Sequence, residues 1–436
     1  MTGMHQRQSE REARGMGADP TARDLYEIGE IPPLGHLPKH MYAWVIRRER
    51  HGDPESAMQV EVIETPTIGP EEAIVMVMAA GVNYNGVWAA LGEPVSPLDV
   101  HKHSHHVAGS DAAGIVWAVG DRVKRWKVGD EVVVHCHQDD GDDVECNGGD
   151  PMHSPSQRIW GYETPDGSFA QFTRVQSRQL LPRPQHLSWE ESGCYGLTLA
   201  TAYRMLFGHR PHALRPGQNV LVWGAAGGLG SMAVQLIATA GANAFGVISD
   251  ESKREFVMSL GAKGAINRKQ FECWGPLPDT RDAARFSEYM KEVRRFGRAI
   301  WELTGKGKDV DIVFEHPGEA TFPVSCFVVK RGGMVVFCAG TSGYNLTMDA
   351  RFVWMRQKRI QGSHFANLFQ ASEANQLVIE RRIDPCLSEV FCWSEIPRAH
   401  RKMWRNQHQP GNMAVLVQAN PMRPRHQADT RMTGAA

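Results

Sequence analysis

The residues best suited to binding a ligand form one glycine-rich segment. It reads Gly224-Ala225-Ala226-Gly227-Gly228-Leu229-Gly230 and follows the continuous apolar run Asn219–Gly224. Glycines permit a tight turn and let the backbone approach a pyrophosphate, while the start of the next helix offers unpaired N–H groups. Because a strand is predicted before the segment and a helix after it, we expect a dinucleotide site at Gly224, Gly227, Gly228 and Leu229. The alternative is a tight strand-to-helix turn without a ligand.

The next predicted strand, which ends at Ser249, indicates which dinucleotide fits. A site for NAD usually places an acidic residue at the end of this strand, where it holds the 2′-hydroxyl of the ribose. Here Ser249 ends the strand, and Lys253 and Arg254 follow one turn into the helix. These cations suit a 2′-phosphate and favour NADPH, although the neighbouring Asp250 keeps NAD open. The alternative for both cations is a solvated helix face.

Two further loops follow predicted strands of the same region. The segment Glu315–Gly318 comes after the fourth strand and Ala339–Thr341 after the fifth. Ligands of open parallel sheets bind beyond the carboxyl ends of the strands. We therefore expect the nicotinamide side of the site to include four residues, His316, Ala339, Gly340 and Thr341.

Length and composition limit the class of protein. The chain has 436 residues, and single cores usually stop growing at roughly 250 to 300, so two domains are expected. Its 48 basic and 49 acidic residues nearly cancel, which argues against nucleic acid and anionic membrane surfaces as partners. No apolar run approaches the roughly 20 residues of a membrane span. The eight scattered cysteines predict reduced thiols, no metal site and a cytoplasmic location.

The pattern of the sequence changes once along the chain. From Met41 to about Leu199, short β-rich runs alternate with turn residues, which predicts a compact β-rich domain. From about Asn219, strands and helices alternate, which predicts a doubly wound parallel sheet. We place the domains at 23–200 and 201–363, a segment returning to the first domain at 364–420, and tails at 1–22 and 421–436. The long connection 268–309 is interpreted as a partly helical insertion, and one reading is a surface helix pair that packs on an oligomer neighbour.

A β-rich front domain followed by GAAGGLG in a parallel-sheet domain resembles the medium-chain dehydrogenase/reductase superfamily. Members pair a GroES-like catalytic domain with a Rossmann cofactor domain, and their active site lies in the cleft between the two. Zinc alcohol dehydrogenases of that superfamily carry a GHE motif where this chain reads Gly109-Ser110-Asp111, and their four-cysteine lobe has no counterpart here. The resemblance implies an α/β protein of the zinc-free reductase branch.

Five longer segments resemble one family within that branch, crotonyl-CoA carboxylase/reductase. They read GVNYNGVWAALGEPVS, RIWGYETPDGSFAQF, HLSWEESGCYGLTLATAYRML, VDIVFEHPGEATFPVS and KRIQGSHFANLFQASEANQL. The resemblance implies that NADPH reduces crotonyl-CoA, or a related enoyl-CoA, and that CO2 traps the resulting enolate. The product in this family is (2S)-ethylmalonyl-CoA, which serves the ethylmalonyl-CoA pathway.

Four residues match the CO2 pocket of that family. By resemblance, Asn85 donates through its amide and His364 through a ring nitrogen, Tyr162 shields the pocket from water, and Glu163 helps to position it through an ordered water or the histidine. Family members have Phe where this chain has Tyr162. Taken singly, these residues read as a loop asparagine, a histidine at a strand end, a core aromatic and a surface carboxylate.

The phosphates of coenzyme A need local cations because the net charge is only −1. The resemblance favours Arg351 and Lys330, and ordinary surface basic residues are the alternative. It also implies a homotetramer, a dimer of dimers, with coenzyme A bound near subunit contacts.

Two other functions stay open from the sequence. One is a plain NADPH-dependent enoyl-CoA reductase, similar to quinone oxidoreductases, that protonates its enolate. The other is a structural protein that binds NADPH without catalysis.

Overall fold

A computed structural model describes residues 22–419 of the chain. The predicted tails at 1–22 and 421–436 lie outside this range, apart from residue 22. The β-strands are β1 His40–Ile46, β2 Met58–Glu64, β3 Glu72–Val82, β4 His106–Val107, β5 Ala112–Val119, β6 Glu131–Val134, β7 His137–Gln138, β8 Arg158–Ile159, β9 Phe172–Gln176, β10 Leu180–Pro182, β11 Asn219–Val222, β12 Asn243–Ile248, β13 Gly264–Asn267, β14 Val310–Glu315, β15 Val329–Phe337, β16 Arg359–Gly362, β17 Leu387–Phe391 and β18 Asn412–Leu416.

The α-helices are α1 Pro54–Ala57, α2 Tyr84–Leu91, α3 Pro97–His101, α4 Trp189–Ser192, α5 Gly196–Phe207, α6 Gly228–Thr239, α7 Arg254–Ser259, α8 Ala283–Thr304, α9 Phe322–Val328, α10 Ala350–Trp354, α11 Leu368–Ile379 and α12 Ile396–Trp404. Short 3-10 helices lie at Arg48–Arg50, Pro151–His153, Ser177–Gln179, Glu251–Lys253, Arg268–Gln270 and Trp393–Glu395. Between residues 22 and 419, no helix combines the length and hydropathy that crossing a bilayer requires.

The front half forms mainly antiparallel sheets. The larger sheet has the order β10-β6-β5-β3-β18-β17, with β9 also paired to β3. Smaller sheets have the orders β2-β1-β4 and β7-β8. Because β18 pairs antiparallel with β3 and parallel with β17, the last part of the chain completes the front sheet. The domain limits given above remain a prediction.

The second half forms a parallel sheet of six strands in the order β13-β12-β11-β14-β15-β16. Its central strands β11, β12 and β14 are runs of mostly buried apolar residues, as expected when both faces of a parallel sheet are covered. Helices α5, α6 and α11 share a core with one face. The strand before the glycine turn, the end of β12 and the ends of β14 and β15 lie within a few residues of the predicted positions, and the predicted α/β fold class is confirmed.

The long connection after β13 contains one helix, α8, of 22 residues. Its apolar side, Met290, Val293, Phe296 and Ile300, is buried against the free face of the parallel sheet. The interpretation as a surface helix pair is therefore wrong, because the apolar side that would attract a neighbour is used within this chain.

Candidate functional site

The glycine turn after β11 has the geometry that a pyrophosphate requires. Gly224 has a φ of 54°, a left-handed conformation that favours glycine. A Cβ at Gly230 would lie 2.2 Å from the carbonyl oxygen of Gly224, so α6 reaches the turn only without a side chain there. Helix α6 begins at Gly228 without a side-chain cap, which leaves N–H groups for an anion. The turn therefore fits a dinucleotide.

The two cations predicted beside the end of β12, Lys253 and Arg254, differ in the groups that they already bind. The Nζ of Lys253 lies 3.1 Å from the Oγ of Ser249, and Lys253 has no acidic partner among residues 22–419. The guanidinium of Arg254 pairs with the carboxylate of Glu251 and donates to the Ala265 carbonyl at 2.7 Å. Asp250 forms an ion pair with Lys269. Ser249 and Lys253 are therefore the groups best placed to receive a 2′-phosphate.

A histidine outside the predicted site lies near Lys253. His408 belongs to the loop between α12 and β18, and its buried Nδ1 has no hydrogen-bond partner in the described part of the chain. Burial lowers the pKa of His408, and the charge of Lys253 lowers it further. The same loop contacts the glycine turn, because the N–H of Gly411 donates to the Ala226 carbonyl at 2.9 Å.

The residues predicted at the nicotinamide side lie beyond β14 and β15. The Nε2 of His316 lies 3.0 Å from the Trp223 carbonyl oxygen, and a Cβ at Gly224 would lie 2.7 Å from that nitrogen. Burial lowers the pKa of His316 to about 4, so its ring is neutral and supports the turn from below. Ala339 has a φ of 60° and opens the turn that Gly340 and Thr341 continue.

The segment Asn83–Asn85 is held by two consecutive residues between β4 and β5. The Nδ2 of Asn85 donates to the Oγ of Ser110 at 2.6 Å, and the Nδ2 of Asn83 donates to the Oδ2 of Asp111 at 2.8 Å. The N–H of Leu197 donates to the other oxygen of Asp111 at 2.7 Å. Burial raises the pKa of Asp111 to about 7. The Asn85 amide is thus oriented by the protein before any substrate binds.

The ring of Tyr162 packs in the hydrophobic core of the front half, and its hydroxyl binds a carbonyl within the protein. The side chain is 9% exposed, and its O–H donates to the Val95 carbonyl at 2.8 Å. Burial raises its pKa to about 12, so the phenol stays protonated. Because the hydroxyl already has its acceptor, the ring acts as an apolar wall much as a phenylalanine would.

Glu163 and His364 each lie near the β7-β8 pair, Glu163 through a bond to β8 and His364 through its proximity to His137 of β7. The N–H of Ile159 donates to the Oε2 of Glu163 at 2.8 Å, and Ile159 pairs with His137 across the two strands. Burial raises the pKa of Glu163. Burial also lowers the pKa of His364, and the charges of Arg204 and His137 lower it further. The surroundings therefore favour the uncharged form of both groups.

The loop that carries His364 is fixed to the front half. Its anchors are the ring of His135, whose Nε2 lies 2.8 Å from the Ala366 carbonyl oxygen, and the Nδ2 of Asn367, which donates to Asp150 at 3.1 Å. The ring of His364 lies beside the ring of Phe365. The backbone that carries His364 is therefore fixed beside the front half.

Backbone packing brings the Asn85 and Tyr162 segments together. Gly161 has a φ of 75°, and a Cβ there would lie 1.9 Å from the carbonyl oxygen of Gly109. Gly161 and Gly109 directly precede Tyr162 and Ser110 in the chain. Only a glycine lets these two loops approach so closely.

Tyr344 is a neighbour of this wall that the sequence patterns did not identify. It lies in the loop after β15 and is 55% exposed. Burial raises the pKa of Tyr84 and of Tyr162, and the nearby phenol of Tyr344 raises both further. Tyr344 therefore faces the front half. An aromatic residue in a glycine-rich loop beyond a parallel strand was the available signal.

The two cations proposed for coenzyme A each have an acidic partner. Arg351 forms a two-point ion pair with Asp349, and its side chain stays 57% exposed. Lys330 pairs with Asp311 and stays 45% exposed. Both retain surface for a phosphate, but neither is an unpaired charge.

A cavity of about 560 Å³ lies elsewhere, between α6, α7 and the segment before β17. Its lining includes Gln235, Arg382 and Cys386, and none of the predicted site residues.

Comparison with known proteins shows which proteins the chain resembles. An alcohol dehydrogenase GroES-like domain matches residues 69–185, and a zinc-binding dehydrogenase domain matches residues 228–381. Crotonyl-CoA carboxylase/reductase of Cereibacter sphaeroides is 74% identical over 401 residues, which cover 92% of this chain and 93% of that protein.

Two solved structures also resemble this chain in fold and sequence. A crotonyl-CoA carboxylase/reductase matches with a TM-score of 0.89 and 72% identity, over 92% of this chain and 94% of that chain. The 2-octenoyl-CoA carboxylase reductase CinF, in complex with NADP and 2-octenoyl-CoA, matches with a TM-score of 0.81 and 35% identity, over 89% of this chain and 90% of that chain.

Proposed function

The chain belongs to the crotonyl-CoA carboxylase/reductase family, and we propose that Asn85, Tyr162, Glu163 and His364 form the site at which it adds CO2 to the enolate of crotonyl-CoA. The enzyme reduces crotonyl-CoA with NADPH and carboxylates it to ethylmalonyl-CoA. The observation that most supports this assignment of residues is the hydrogen bond of 2.6 Å that orients the Asn85 amide.

Carboxylation competes with protonation at the α carbon. When bound, NADPH supplies the hydride that reaches the β carbon of the thioester, and the resulting negative charge spreads to the α carbon and the thioester oxygen. CO2 carries no charge and cannot organise polar groups around itself. The second N–H of Asn85 and a ring N–H of His364 would meet its oxygens, where negative charge grows as the new bond forms.

Tyr162 and Glu163 would keep this reaction from ending in protonation. The Tyr162 ring excludes water, and its hydroxyl, bound to the Val95 carbonyl, is not free to deliver a proton. Glu163 holds the turn that carries Tyr162, because its carboxylate accepts the N–H of Ile159 at the start of that turn. An ordered water would join its carboxylate to the imidazole of His364.

On the cofactor side, the glycine turn Gly224–Gly230 would hold the pyrophosphate, and Ser249 with Lys253 the 2′-phosphate. Arg254 would act through the carbonyl it binds in β13 rather than on the phosphate itself. His316 would support the turn, and Ala339, Gly340 and Thr341 would border the nicotinamide.

Arg351 and Lys330 remain our candidates for the phosphates of coenzyme A, with related enoyl-CoA thioesters as further substrates. We also propose a cytoplasmic homotetramer arranged as a dimer of dimers. Light scattering of the purified protein tests the assembly, and a mass of one or two chains would contradict it.

The assigned reaction is tested by its product. Crotonyl-CoA and NADPH are incubated with the enzyme, with and without saturating ¹³C-bicarbonate, and the acyl-CoA products are identified by mass spectrometry. We expect labelled ethylmalonyl-CoA with bicarbonate and butyryl-CoA without it. Butyryl-CoA as the sole product at saturating CO2 would instead indicate a plain enoyl-CoA reductase, and NADPH binding without thioester-dependent oxidation would indicate a structural protein.

A further inference from the structure

We propose that Ser110 is a positioning residue that sets the orientation of the Asn85 amide and thereby the choice between CO2 and a proton. The proposal rests on the function proposed above and extends it to a residue outside the four-residue pocket. Ser110 is fully buried, and its Oγ accepts the Asn85 amide at 2.6 Å.

The amide of an asparagine needs such a partner. Its terminal torsion has no sharp staggered minima, so an unanchored side chain samples a broad range of orientations. The bond to Ser110 removes that freedom by engaging one N–H. The other N–H then points in one direction only, which a neutral ligand such as CO2 cannot impose by itself.

The position of Ser110 is itself fixed from both sides. The carbonyl of Gly109 accepts the N–H of Ser168 at 2.9 Å, and the carbonyl of Asp111 accepts the N–H of Gly81 at 3.3 Å. Because the backbone on each side of Ser110 is bound to another segment, its Oγ is a stationary acceptor.

Asp111 holds the same segment at a different point. Its carboxylate accepts the Asn83 amide, and Asn83 precedes the first residue of α2. Asp111 therefore fixes where helix α2 begins. Ser110 instead fixes the side chain of Asn85, the second residue of that helix. The two contacts act on different degrees of freedom, so removing the Ser110 hydroxyl leaves the helix start in place.

Ser168 provides a matched control. It is also fully buried, lies beside Gly109, and its Oγ has no hydrogen-bond partner in the described chain. Replacing either serine by alanine removes one buried hydroxyl from the same loop pair. Only the Ser110 change removes a contact to Asn85.

The test compares Ser110→Ala and Ser168→Ala with the unchanged enzyme at saturating bicarbonate. The ratio of ethylmalonyl-CoA to butyryl-CoA and the rate of NADPH oxidation are measured together. We expect the product ratio to fall about three- to tenfold in Ser110→Ala, the effect of losing one hydrogen bond. NADPH oxidation should stay within about twofold, and Ser168→Ala should leave the ratio unchanged.

An Asn85→Ala background separates positioning from a general structural role. Without the amide, Ser110→Ala should cause no further fall in the product ratio. If Ser110→Ala does not fold, Ser110→Cys nearly keeps the volume but offers only a weak acceptor, and should lower the ratio by a smaller factor.

Three results would overturn the proposal: an unchanged ratio in Ser110→Ala, an equal fall in Ser168→Ala, or the same fall in the Asn85→Ala background. Failure of the proposed function looks different, because the unchanged enzyme would then form no ethylmalonyl-CoA at all.

Discussion

The site has two regions that differ in whether their polar groups have partners within the protein. The front wall is formed by Asn85, Tyr162 and Glu163, and the cofactor side by the glycine turn and Lys253. On the front wall, the Asn85 amide, the Tyr162 hydroxyl and the Glu163 carboxylate each have a partner within the protein. On the cofactor side, the start of α6 has no side-chain cap, and Lys253 has no acidic partner in the described chain.

The difference follows from the ligands. NADPH carries phosphates that attract and align N–H groups and cations on arrival, so donors without partners cost little in water and gain on binding. CO2 has no charge with which to align anything. The protein must therefore fix the donors of the front wall in advance, which is how electrostatic preorganisation works.

The largest effect is expected on the cofactor side, at Gly230. In Gly230→Ala the new Cβ would lie 2.2 Å from the Gly224 carbonyl oxygen, so the turn must move away from α6. Overpacking of this kind costs about 1–3 kcal/mol, and we expect NADPH affinity, measured by fluorescence titration, to fall about 100-fold.

Gly297→Ala is the control for that change, because no atom lies within 4 Å of a Cβ built there in α8. It should leave NADPH affinity unchanged and stabilise the helix by about 0.5–1 kcal/mol. Equal affinities in the two variants would show that the turn does not depend on close approach.

Each region also rests on a buried carboxyl whose pKa burial raises to about 7: Asp111 in front and Glu315 beneath the glycine turn. Glu315 has an ordinary pKa of 4.5, so the folded state holds an extra proton between about pH 4.5 and 7. The contribution of Glu315 to the free energy of unfolding is fully present below pH 4.5 and is lost as the pH rises through 7. The loss is on the order of 3 kcal/mol at most.

We therefore expect Glu315→Gln to flatten the fall of stability between pH 5 and 8, measured by urea unfolding. Gln keeps one acceptor oxygen for Thr321 and the N–H of Gly318, and its NH2 group would donate to the Oγ of Ser325. Glu302→Gln, at an exposed position of α8, should keep the pH profile of the unchanged protein. Parallel profiles for all three proteins would contradict the raised pKa.

Lys253→Ala should have the next largest effect. Loss of a charged contact to the 2′-phosphate lowers NADPH affinity about 10- to 30-fold and leaves NADH affinity unchanged. Arg254→Ala should change the NADPH/NADH ratio much less, because its guanidinium is bound to Glu251 and to β13. A larger effect of Arg254→Ala on that ratio would reverse our assignment.

Tyr162→Phe should have the smallest effect. It removes one hydrogen bond, to a carbonyl whose residue, Val95, is 52% exposed and open to water. We expect a loss of less than about 1 kcal/mol in the free energy of unfolding and a product ratio within about twofold of the unchanged enzyme. A marked shift toward butyryl-CoA would mean that the hydroxyl, and not only the ring, protects the enolate.

The elements and the glycine turn could be predicted from sequence because their signals are local. Strand β11, the turn and α6 occupy consecutive residues, and a continuous apolar run followed by glycines identifies them. The insertion that contains α8 was likewise predicted to be partly helical. What its apolar side packs against was not, because that depends on the neighbouring sheet.

Contacts between distant segments could not be predicted in this way. Ser110 lies 25 residues from Asn85 in the chain, and nothing in either segment indicates that they bond. Arg254 looked available for a phosphate because its partner in β13 is not adjacent in sequence. Tyr344 and His408 approach the site from loops whose own sequences carry no metal, nucleophile or phosphate motif.

The product ratio of Asn85→Leu tests most directly the claim that the front wall steers the enolate to CO2. Leucine keeps the approximate volume but removes both amide donors, and the residue has no assigned contact with the cofactor. At saturating bicarbonate we predict butyryl-CoA as the main product, with NADPH oxidation still readily measured. An equal loss of both activities with an unchanged fraction of ethylmalonyl-CoA would contradict the account.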